Sequence, residues 1–153
     1  MRLPSGAPGP SLPFMSFEPV DRDYSLTKLE AATRQVELAI LAIGRGDYDI
    51  AITLAGAAEG MLPEIPTQEM FSTIANDPIA LKRFTKKEWL SMINSRRDWL
   101  KHPTEHLPDR LDFTLPQAAF FVLRAMAKIP DWSARMQSFK EWYFQRRPLR
   151  MEN

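Results

Sequence analysis

The residues able to do chemistry are concentrated in one stretch, Arg96-Arg97-Asp98-Trp99-Leu100-Lys101-His102. Asp98 and His102 stand four residues apart, so on a helix they share a face and the carboxylate can orient the imidazole. Arg97 and Lys101 form a second pair at the same spacing on an adjoining face, beside Arg96. A titratable ring next to fixed positive charge is the equipment for proton transfer at a phosphodiester. At about 100° per residue, Arg97 lies about 140° around an ideal helix from His102. One straight helix does not bring the two together. A frayed last turn, a long arginine reaching round, or a second protomer is required.

Other chemistries find little support. The two histidines, His102 and His106, are separated by Pro103, so one helical face cannot carry both. With no cysteine and no HExxH pattern, neither a metal site nor a cofactor is expected. No Gly-rich loop follows a strand pattern, and no serine sits in a nucleophile elbow. The usual hydrolase and nucleotide-kinase readings fall away.

The elements that must position these residues are helical. The chain has 153 residues, the size of one domain with a sizeable core. Lack of cysteine excludes a small disulfide scaffold. The apolar runs fall far short of the roughly 18 residues of a membrane span, and the early prolines break any signal-peptide core, so a soluble cytoplasmic protein is the expectation. Residues 1–22 hold five of the 13 prolines and read as an irregular, proline-rich N-terminal arm. A helical bundle domain is expected over 23–147 and a basic tail over 148–153.

From Tyr24 onward the periodicity is helical. Leu26, Leu29, Val36, Ile40 and Ile43 make a stripe from Ser25 to about Ile43, with Thr27 and Glu30 spaced as a capping box and Gly44 and Gly46 as stops. Asp47–Leu62 places Tyr48, Ala51, Ala55, Ala58 and Leu62 on one face, and its alanines and glycines (Ala51, Ala55, Gly56, Ala57, Ala58, Gly60) let a neighbouring helix come close. A shorter helix is expected over Thr67–Ala75, and another from Thr85 to about His102, with a Thr85/Glu88 capping box and a Trp89, Ile93, Leu100 core face. Leu115–Ile129 is apolar around most of its circumference and reads as the central helix. Trp132 to about Arg147 turns Trp132, Met136, Phe139 and Tyr143 inward, leaving Trp142 and Phe144 for an interface. Trp89, Trp99 and Trp132 read as core residues. The fold class is an all-α, up-and-down bundle of five or six helices.

Net charge is +1, but the charges are segregated. Glu18 to Glu69 carries ten acidic residues and four basic ones, whereas Lys82 to Lys101 carries seven basic and two acidic. Such asymmetry suits an anionic partner or the acidic surface of a second copy.

Arg97-Asp98, three residues and His102 resemble the R-[polar]-x(3)-H signature of HEPN domains (higher eukaryotes and prokaryotes nucleotide-binding). Leu54-Ala55-Gly56-Ala57-Ala58-Glu59 is similar to the small-residue, acid-ending second helix of many members. Asn94 and Lys101-His102-Pro103 resemble an N-x(2)-R-x(3)-KH branch, and the likeness spans about Tyr24 to Arg147. The resemblance implies a metal-independent endoribonuclease acting on single-stranded RNA, or a catalytically silent relative that binds nucleotides or polyanions or mediates assembly. It implies a homodimer with both motifs in one cleft, with His102 as general acid/base, Arg97 stabilising the phosphoryl group and Asp98 orienting them. Arg96 and Lys101 would hold flanking phosphates, with Glu59 and Asn94 in support. Such proteins are often toxins or phage-defence parts partnered by an antitoxin or a nucleotidyltransferase.

Overall fold

The computed structural model describes residues 6, 9, 16–64, 75–76, 78–103 and 108–145. Six helices are described: α1 (Lys28–Arg45), α2 (Tyr48–Met61), α3 (Pro78–Arg83), α4 (Lys86–Lys101), α5 (Leu115–Met126) and α6 (Ala134–Gln145). No strand occurs among the described residues. The fold is the expected all-α bundle. The helix expected over Thr67–Ala75 lies almost wholly outside the described residues, whereas α3 forms where only a basic lead-in was expected.

Local chemistry sets the helix ends. Thr27 takes the N-cap of α1 and accepts from the Glu30 backbone N–H at 3.1 Å, so the helix starts later than Ser25 and the expected capping box is only half formed. Gly44 stays inside the helix, and the stop is Gly46 alone, in the left-handed conformation at φ 80°. Its N–H bonds Ile43 O at 3.0 Å and the Asp47 N–H bonds Ala42 O at 2.9 Å, the two bonds of a Schellman motif. Thr85/Glu88 and Thr114/Gln117 each close a complete capping box, at the starts of α4 and α5. Residues 16–27 run irregularly and exposed ahead of α1, and the Tyr24 ring is flanked by the Arg22 and Arg34 guanidinium groups at 5.1 and 5.4 Å.

The core lies among α1, α2 and α5, with α6 packed on α1 and α5, α4 on α2, and α3 on α4. It is rich in alanine: Ala32 and Ala39 of α1, Ala51, Ala55 and Ala58 of α2, and Ala118 and Ala125 of α5 are all completely buried. These small faces let backbones approach closely. Ile52, Val36, Val122, Met126 and Met136 fill the remaining volume. Trp132, Trp142 and Tyr143 pack partly buried on this core, so Trp142 belongs to the packing rather than to a free interface, while Phe144 remains 48% exposed.

α4 differs from the other long helices. None of its side chains is fully buried, although a core face of Trp89, Ile93 and Leu100 was expected. Leu100 reaches the core edge, and Trp89 stacks on Phe84 with centroids 6.4 Å apart. The chain after α4 folds back along it: Trp99 donates its indole N–H to Pro108 O at 2.7 Å and meets Phe113 edge-on.

The alanine face of α2 yields a stability prediction. Ala55→Leu forces extra methylenes into a completely buried position and is expected to cost about 1–3 kcal/mol, read as a lower midpoint in urea unfolding with an unchanged slope.

Candidate functional site

Glu59 sits in the last turn of α2, where the negative end of the helix dipole disfavours a carboxylate. It is nonetheless only 5% exposed. A buried charge must be paired and hydrogen-bonded, and its partner comes from the last turn of α5. Arg124 donates to Glu59 Oε1 from Nη2 at 2.9 Å and from Nε at 3.2 Å, with its side chain only 1% exposed. The third donor, Nη1, goes to Asn94 Oδ1 of α4 at 3.0 Å. The rings of Phe120 and Phe121 lie 5.5 and 5.1 Å from the guanidinium carbon. Burial lowers the Arg124 guanidinium from its ordinary value, the attraction and hydrogen bonds of Glu59 oppose that, and neighbouring Arg97 adds to the lowering. An arginine so placed stays charged.

Lys128 closes the same end of α2, donating from Nζ to Glu59 O at 3.1 Å and Leu62 O at 3.3 Å. α2 has no basic residue in its own last turn, so a lysine from the chain beyond α5 satisfies the terminal carbonyls instead.

Arg97 reaches this cluster from α4. Its stem lies on Gly56: a Cβ built at that glycine would meet Arg97 Cδ at 2.9 Å and Cγ at 3.1 Å. Beyond the stem, Nη1 stands 4.0 Å from Glu59 Oε2 and Nε 3.7 Å from Asp98 Oδ1, with the side chain 29% exposed. Both are ion-pair distances, too long for hydrogen bonds. Glu59 Oε2 is buried and has no hydrogen-bond partner among the described residues. Two carboxylates therefore flank Arg97, and among the described residues neither takes one of its N–H groups.

His102 is the C-cap of α4, with extended backbone, and its N–H bonds Asp98 O at 2.9 Å. The imidazole is exposed. The expected carboxylate–imidazole bond to Asp98 is not made among the described residues; Asp98 pairs with Arg97 instead. Arg97 turns toward α2 while His102 stands past the helix end, and no hydrogen bond joins the two among the described residues. Arg96 points elsewhere, donating to Asp112 O at 3.3 Å and Ser95 Oγ at 3.2 Å. Lys101 is exposed. His106 lies outside the described residues.

Of the sequence-chosen residues, Glu59, Asn94, Arg97 and Asp98 come together, Arg96 ties the returning chain, and Lys101 and His102 stay open to solvent. Sequence reasoning missed Arg124, the hub of the cluster. Its signal was present: it is the one charge in Leu115–Met126, a helix otherwise apolar enough to be central. No group of three or more metal-ligating side chains converges among the described residues, and no described helix is long and apolar enough to cross a membrane. No protein-family model, curated protein or solved structure matches the chain.

Removing one partner of the buried pair leaves an uncompensated charge. Arg124→Met and Glu59→Leu singly are each expected to destabilise by about 3–5 kcal/mol, and the double variant by much less than their sum. A double-mutant cycle in urea measures this; additive losses would mean that the two groups do not compensate one another.

Proposed function

We propose that this chain is a HEPN-like, metal-independent endoribonuclease that cleaves single-stranded RNA, working in the cytoplasm as a homodimer. The observation that carries the reading is that α4 and its C-cap present the two reactive groups within five residues of each other. Arg97 is held between two carboxylates, neither of which takes one of its N–H groups among the described residues, and His102, five residues on, is exposed. The resemblance of Arg97-Asp98-x(3)-His102 to the HEPN signature supports the same assignment.

In this reaction His102 removes the proton from the ribose 2′-OH. The 2′-oxygen attacks the adjacent phosphorus, the bond from phosphorus to the 5′-oxygen breaks, and the leaving oxygen takes a proton. The products are a 2′,3′-cyclic phosphate and a 5′-hydroxyl. Arg97 stabilises the charge that grows on the non-bridging oxygens, and Asp98 holds its guanidinium. Lys101 and Arg96 contact flanking phosphates, Arg96 after releasing Asp112. On an ideal helix Arg97 and His102 lie about 140° apart, and in this reading each cleft draws Arg97 from one protomer and His102 from the other. Such an activity fits a toxin or phage-defence protein restrained by an antitoxin or modified by a nucleotidyltransferase.

A catalytically silent, polyanion-binding module is the second reading, favoured because no Asp98–imidazole bond occurs among the described residues. A 5′-labelled single-stranded RNA incubated with pure protein in EDTA separates the two. Cyclic-phosphate ends are expected from the wild type, with losses of about 10²–10⁴-fold for His102→Ala and about 10²–10³-fold for Arg97→Ala. Equal cleavage by all three proteins would remove the assignment. Salt-sensitive binding without cleavage would leave the silent module.

Composite clefts also predict complementation. Mixing inactive Arg97→Ala and His102→Ala protomers under exchanging conditions should restore about a quarter of wild-type activity, because half the dimers are mixed and each carries one intact cleft. No recovery despite demonstrated exchange would place both groups in one protomer's site.

A further inference from the structure

Resting on the nuclease reading, we infer that Gly56 of α2 is a positioning residue for the reaction, and that its missing side chain is the seat on which Arg97 is aimed. Gly56 and Glu59 are three residues apart on one face of α2. The first receives the aliphatic stem of Arg97, and the second stands beside its guanidinium. The stem is thereby confined from below while the charged end stays partly open to solvent.

The seat has no tolerance for a larger residue. A Cβ at position 56 would lie 2.9 Å from Arg97 Cδ, whereas carbon atoms settle at about 3.5–4.0 Å. Relief has to come from Arg97, because its contacting atoms belong to a flexible, partly exposed side chain, whereas Gly56 is fixed in a helix packed on the core. Arg97 would retreat by roughly 0.6 Å or more, carrying its guanidinium away from Glu59 Oε2 and from the place where phosphoryl charge develops. Misplacement on the ångström scale costs on the order of a hundredfold in rate.

Gly60 provides a matched control in the same helix. A Cβ there meets nothing within 4 Å, so Gly60→Ala gains the same helix propensity without touching Arg97.

The test measures kcat and KM for RNA cleavage, with thermal unfolding, in Gly56→Ala, Gly60→Ala, Arg97→Ala and the double variant Gly56→Ala/Arg97→Ala. Both glycine variants are expected to melt at or above the wild-type temperature. Gly56→Ala should lose about ten- to a hundredfold in kcat while Gly60→Ala keeps wild-type activity. Gly56→Ala should add no further loss once Arg97 is gone. In protein labelled with 15N-arginine, the Arg97 Nε–H resonance should move in Gly56→Ala and stay in Gly60→Ala. Equal kcat in the two glycine variants, or an undiminished Gly56→Ala effect in the Arg97→Ala background, would overturn the inference while leaving the nuclease standing. A wild type that does not cleave RNA would overturn the nuclease reading and, with it, this role for Gly56.

Discussion

The arrangement of α2, α4 and α5 depends on one buried carboxylate, Glu59. It stands at the end of α2 where the helix dipole opposes it, in a position almost closed to water. Such a charge survives only if the surroundings supply donors. Arg124 supplies two from α5, and Lys128 relieves the same helix end by taking its carbonyls. Arg124 Nη1 donates to Asn94, so the ion pair also fixes where α4 can lie. A hydrophobic contact tolerates sliding, but a guanidinium that donates from all three nitrogens to fixed acceptors does not.

This explains why α4 can be a long helix with no fully buried side chain. Its attachment is polar at Asn94 and Arg97, apolar chiefly at Leu100, and completed by the returning chain through Trp99 and Arg96. A helix held this way keeps functional side chains near the surface, because core burial does not demand them. Replacing the polar contacts by leucines would bury more area, yet it would remove the groups that make α4 chemically useful.

Most of the architecture was legible because it rests on local signals. The Thr85/Glu88 cap, the alanine face of α2 and the Met136–Phe139 stripe of α6 follow from periodicity and capping rules that need no tertiary information. The errors have the opposite origin. Gly44 and Gly46 look alike in the sequence, but only Gly46 needs a left-handed conformation. The Trp89-Ile93 face reads as core because apolar spacing cannot report what lies opposite it. Glu59 and Asn94 were legible only through resemblance to a family pattern. Arg124 went unnoticed because a lone charge in an apolar helix matters only once its partner is known.

The two oxygens of Glu59 divide the site into a structural half and a responsive half. Oε1 takes two hydrogen bonds from Arg124, in a place closed to water, and is committed. Oε2 takes none among the described residues, and Arg97 Nη1 stands 4.0 Å from it. At an effective dielectric of about 20, charges so spaced attract by about 4 kcal/mol before desolvation is counted. That attraction is enough to bias where a long side chain points. It lacks the directional hydrogen bonds that would lock it, and solvent reaching the partly exposed guanidinium weakens it further. Arg97 is thus aimed without being consumed: the stem is confined by Gly56, the charge is drawn toward α2, and the N–H groups stay undonated among the described residues. A fully hydrogen-bonded Arg97 would have to break those bonds before meeting an anion, and an untethered one would lose rotamer entropy on binding. The geometry between these extremes lowers both costs, and it exists only because Arg124 already satisfies the other oxygen.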